Sequence, residues 1–109
     1  MTTCQVTTTI DDRLAAEALA RSAVEARLAA CGQVVGPITS VYRWEGAVET
    51  AAEWMVVFKT TQAASAALVE HVRAGHPYQV PEILVTSVED GNPAYLAWVA
   101  ESTADAGAG

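Results

Sequence analysis

The chain has one lysine, one phenylalanine and two cysteines in 109 residues, and each scarcity removes a class of function. Six basic residues against thirteen acidic ones leave a formal charge of −7. Nucleic-acid binding draws on clustered Lys and Arg that release counterions from phosphate, and no such cluster is present. Cys4 and Cys31 form no Cys-x-x-Cys pair and have no histidine at zinc-finger spacing. Both thiols are expected to be free, in a reducing cytoplasm. No basic stretch followed by an apolar one marks a secretory signal, and no apolar run approaches membrane-spanning length. A nucleophile elbow, P-loop, dinucleotide fingerprint, His-Glu-x-x-His pair and EF-hand loop are all missing. The expectation is a protein that is not an enzyme and binds neither nucleic acid nor membrane.

What is present gathers between Ile38 and Thr61, which holds the lysine, the phenylalanine and two of the three tryptophans. Ile38, Ser40, Tyr42 and Trp44 alternate with Thr39, Val41, Arg43 and Glu45, the period of a strand. Gly46-Ala47 predicts a type II′ turn, with glycine first. Pairing about that turn sets Trp44 opposite Glu49, Tyr42 opposite Ala51 and Ser40 opposite Glu53. Glu53, Met55, Val57 and Lys59 then share the Tyr42/Trp44 face, and Trp54, Val56 and Phe58 point towards helices. Both faces carry large apolar groups. A lone hairpin could not bury them, so a second subunit is expected.

The remaining elements follow from periodicity and caps. Cys4–Ile10 is a short β-branched strand, and Asp11 or Asp12 caps a helix over Arg13–Ala30. Arg13, Glu17, Arg21 and Glu25 recur every fourth residue with alternating sign, a solvated ladder. Ala15, Ala18, Leu19, Ser22, Ala26 and Ala29 form the opposite arc; Leu14, Val24 and Leu28 do not fit that stripe. Cys31-Gly32 ends the helix. Gln33–Glu45 is a strand with an edge, bulge or kink at Gly36-Pro37. Gln62–Ala74 is a second helix, capped by Thr60 or Thr61. Tyr78–Pro81 is extended, Ile83–Val88 is a last strand, and Asn92-Pro93 opens a short helix through Tyr95, Leu96 and Val99. Residues 1–100 read as one domain and 101–109 as a flexible tail. The order defines an α+β, ferredoxin-like βαββαβ sandwich with a long hairpin between its second and third strands and a C-terminal helix.

Two places carry chemistry. In HPYQVPE, His76 to Glu82, an imidazole, a phenol and a carboxylate sit between prolines; the run either binds a metal or moves protons, or is a rigid connection. Lys59 either pairs with Glu53 or Glu82 in a binding site or simply ends a strand. Tyr42 and Trp44 serve as core, interface or ligand-stacking rings. His71 reads as a solvent-facing helix residue.

LAACGQVVGPITSVYRWEGAVE (Leu28 to Glu49), FKTT, HPYQVPEIL and GNPAYLAWV, in that order, resemble the CutA family of divalent-cation tolerance proteins. The resemblance runs from about Val6 to Val99. It implies a ferredoxin-like homotrimer, similar to the PII signalling proteins, in which the long hairpin extends a neighbour's sheet. It also implies binding of copper or another divalent metal ion, with His76 as a ligand. A pocket near the subunit contacts would draw on Tyr42, Trp44, Glu53, Lys59, Tyr78 and Glu82. Thr7 stands where some members have a first-strand cysteine, and Gly75 where others have a second histidine.

Overall fold

The computed structural model describes residues 2–104. The chain runs β1 (Thr3–Ile10), α1 (Arg13–Glu25), β2 (Cys31–Trp44), β3 (Ala47–Thr61), α2 (Gln62–Gly75), β4 (Ile83–Val88) and α3 (Pro93–Ser102). The strands make one antiparallel sheet in the order β2-β3-β1-β4. With a helix in each of two crossovers, that is the expected split βαβ arrangement.

Alternation along β1 and β3 decides where the core sits. Val6 and Ile10 of β1 and Val56 and Phe58 of β3 point to one face, where Leu19, Ala20 and Ala23 of α1 and Leu68 and Val72 of α2 cover them. Helix α1 starts where Asp12 accepts a hydrogen bond from the Ala15 N–H at 2.9 Å. Its buried residues are Ala16, Leu19, Ala20 and Ala23, an arc rotated from the one expected. Alanine on every side of this helix left its direction open. The helix also stops earlier than expected: Arg27, at φ 60°, takes the left-handed position, and Cys31-Gly32 already belongs to β2. Arg13–Glu17 and Arg21–Glu25 pair across the exposed face, while Leu14 and Val24 stay exposed. His71 is not solely solvent-facing, since its Nε2 lies 2.9 Å from the Ser22 hydroxyl and ties α2 to α1.

The hairpin turns one residue earlier than its glycine led us to expect. Glu45 (φ 49°) and Gly46 (φ 82°) are the loop residues, a type I′ turn, which needs positive φ at both positions and follows the strand twist. Trp44 therefore pairs with Ala47, Tyr42 with Glu49, Ser40 with Ala51 and Ile38 with Glu53. The slip is two residues, an even number, so every side chain keeps its predicted face. Gly36 and Pro37 form the expected bulge, on what is also an edge strand. A Cβ on Gly36 would stand 2.6 Å from the Trp54 ring, so only glycine admits that ring.

Helix α3 extends further than expected. It runs through Ser102, and the Thr103 hydroxyl, buried, donates to the Val99 carbonyl at 2.9 Å. The tail expected from Glu101 is thus helical at its start; residues 105–109 lie outside those described.

Candidate functional site

Strand alternation places Tyr42 and Trp44 of β2 and Glu53 of β3 on the sheet face away from the helices. The segment after α2 brings the remaining groups. Gly75 ends the helix and Pro77 forbids its continuation. His76, buried, then anchors the chain to β1: its Nε2 lies 2.9 Å from the Thr9 carbonyl oxygen. A carbonyl only accepts, so Nε2 carries the proton and Nδ1 the lone pair. That lone pair accepts the Tyr78 backbone N–H at 3.1 Å, and the two rings meet edge to face at 4.6 Å. Both imidazole nitrogens are engaged, so a metal could take His76 only by displacing one of these bonds.

His76 thereby aims Tyr78 at the hairpin. The Tyr78 hydroxyl donates to Glu53 Oε2 at 2.7 Å. Glu53 is only 7 % exposed, unusual for a carboxylate. Burial, and then the Glu53 bond, push the Tyr78 phenol well above its ordinary pKa. The other oxygen, Glu53 Oε1, has no hydrogen-bond partner among the described residues and borders open space.

That space is a groove of about 610 Å³ between the hairpin and the 76–82 segment. Tyr42, Trp44, Glu53, Tyr78 and Glu82 line it, as do Thr9, Asp11, Ser40 and Gln79. Five of the six expected pocket residues are therefore brought together. Lys59 is not. It lies six residues along β3 from Glu53, roughly 20 Å at strand rise, and its ammonium donates to Gln33 Oε1 at 2.6 Å. Within the chain, neither Glu53 nor Glu82 is its partner. The groove consequently has three carboxylates and no basic side chain. Asp11 is not singled out by the sequence as a groove residue, because it already has a structural role open to it as one of two candidate helix caps. The available signal was the doubled acid: Asp12 fills the cap, leaving Asp11 for another task.

No group of three His, Cys, Asp or Glu side chains converges as a metal shell among the described residues. Elsewhere, Cys31 Sγ lies 3.4 Å from the Tyr95 hydroxyl, and that bond, with burial, pushes the phenol up to about 12.

The chain is thus an α+β sandwich with a long hairpin and, beside it, a groove lined by acids and aromatic rings. The CutA1 divalent ion tolerance family matches residues 4–102, and the chain belongs to that family. It is 43 % identical to a divalent-cation tolerance protein CutA of Thermus thermophilus over 87 % of this chain and 92 % of that one. A mouse CutA protein is 46 % identical over 81 % of this chain and 50 % of its own length. The crystal structure of CutA1 from Oryza sativa superposes with a TM-score of 0.91 at 41 % identity, covering 94 % of each chain. This chain spans just over half the length of several animal and plant relatives. Among the described residues no helix is long and apolar enough to cross a membrane.

Proposed function

We propose that this chain serves divalent-cation tolerance by holding a cation in the groove, as a cytoplasmic homotrimer and without turnover. The observation that carries the reading is the charge of the groove: Asp11, Glu53 and Glu82 line it, and no basic side chain does. The unpartnered Glu53 Oε1 is the first donor. His76 joins only if the Tyr78 N–H releases Nδ1, so oxygen ligands come before nitrogen. Copper(II) binds most tightly among divalent first-row ions, following their usual order at such sites. The trimer is supported by apolar side chains left uncovered in one chain, Val41, Val48, Leu84 and Val85 among them.

Calorimetry with Cu²⁺, Zn²⁺ and Ni²⁺ tests this. Glu53→Gln is expected to weaken binding by about tenfold or more and His76→Ala by less. Absence of saturable binding, or equal affinity in all three proteins, would count against the reading.

A PII-like sensor of small ligands is the second reading. The groove volume favours it, being within the size range of small-molecule pockets. Its expected anion-binding lysine, however, sits elsewhere on β3, which changes the kind of ligand to seek.

A further inference from the structure

Resting on the reading of the groove as a cation site, we propose that it selects a small organic ammonium ion, a protonated primary amine with an apolar body. Glu53 carries the argument. It is more than nine-tenths buried, one oxygen is tied to Tyr78, and the other borders the groove without a partner among the described residues. The groove-side oxygen of a largely buried carboxylate, with an unused acceptor site, favours a charged N–H donor over a neutral one. A primary ammonium supplies that donor, and a quaternary one does not.

The walls select the rest of the ligand. Tyr42 and Trp44 flank the groove and are each about half exposed. Their faces attract a cation electrostatically and cover an apolar body, which a bare metal ion lacks. A metal ion would have to draw Asp11 and Glu82 in beside Glu53, since no three such side chains converge among the described residues, whereas an ammonium needs only the one oxygen. The groove, at about 610 Å³, has room for an organic body. Anions are turned away, because Asp11 and Glu82 line the same space and no lysine or arginine offsets them. Tyr78 positions the site: its hydroxyl fixes Oε2 and so sets where Oε1 points.

Three probes of similar shape separate charge from size: benzylammonium, benzyl alcohol and benzoate, titrated calorimetrically into the full chain. Benzylammonium is expected to saturate, with the alcohol and the acid weaker by about tenfold or more, the effect of one charge-assisted hydrogen bond. Glu53→Gln keeps an acceptor for Tyr78, so its fold is expected to survive, which its melting curve checks. In that variant benzylammonium should lose its advantage while benzyl alcohol is unchanged. Equal binding of amine and alcohol, or an amine affinity indifferent to Glu53→Gln, overturns the proposal. Zn²⁺ titrated in parallel separates the two readings. Zinc binding that depends on Glu53, without amine binding, keeps the cation site and removes the organic ligand. Failure of both cations removes both.

Discussion

A relay of three hydrogen bonds holds the groove in shape: the Thr9 carbonyl fixes His76, His76 fixes the Tyr78 backbone, and the Tyr78 hydroxyl fixes Glu53. The first bond sets the second, since a proton on Nε2 leaves Nδ1 free to accept, and the carboxylate of Glu53 makes the Tyr78 hydroxyl the donor in the third. One consequence is a pH dependence. The Tyr78 pKa is raised in the fold, first by burial and then by Glu53, so the folded state holds this proton more tightly than the unfolded chain does. Its contribution to stability is complete below the unfolded tyrosine value, about 10, and declines as pH rises beyond it. Tyr95, pushed up to about 12, adds to the same trend. Urea midpoints measured from pH 8 upward should fall above pH ~10, and Tyr78→Phe should reduce that slope without removing it. An unchanged slope in Tyr78→Phe would contradict the assignment. A second residue offers the opposite kind of test. The Thr8 hydroxyl is fully buried and has no hydrogen-bond partner among the described residues. Thr8→Val deletes the orphan at nearly constant shape and should raise stability by about 1 kcal/mol in chemical denaturation.

Among the elements, α1 approaches β2 closely at Gly32. A Cβ on Gly32 would lie 2.9 Å from the Ala20 Cβ and 3.3 Å from the Phe58 ring. Gly32→Ala should therefore push the helix off the sheet and cost about 1–3 kcal/mol, read from the urea midpoint. The doubled aspartate separates architecture from function. Asp12→Ala should lose about 1 kcal/mol of stability through the missing cap, whereas Asp11→Ala should leave the urea midpoint nearly unchanged and weaken cation binding. If the two variants behave alike, the division of labour is wrong.

Elements with one strong local signal are legible in the chain, and those whose placement depends on a neighbouring element are not. Strand β1 declares itself by its β-branched run and β3 by alternation, and α2 by a threonine cap at Thr60 or Thr61 and its terminal glycine. The turn was misplaced by one residue because Glu-Gly and Gly-Ala both supply a glycine, and only the twist of the paired strands chooses between them. Helix α1 is so rich in alanine that its buried arc depends on what the sheet offers. The groove was legible as a set of residues, since motif and alternation name five of its members. Its charge was not: Lys59 and Glu53 share a face, but their distance along β3 exceeds any side chain's reach. The Tyr78–Glu53 bond likewise joins segments that only the folded chain brings together.

For the molecule as a whole, the question is what covers the surfaces that one chain leaves open. The chain measures 43 × 28 × 23 Å, and residues 41–50 are exposed on both sides of the ribbon. Light scattering should give three times the 11.4 kDa chain mass, and Val41→Glu should shift that mass towards the single chain. A monomeric wild type would remove the trimer from the proposed function. The hairpin also has a mechanical side. Strand β1 supports β3 only as far as the Ile10–Trp54 pair; beyond it the ribbon is two strands thick, a cantilever rooted where Trp54 meets the Gly36 bulge. In a beam of this kind the free end moves first and the root last. Amide exchange with deuterated solvent should reveal it as a gradient, fast near Gly46 and slow from Val56 onward, steep in a free chain and flattened when something braces the tip.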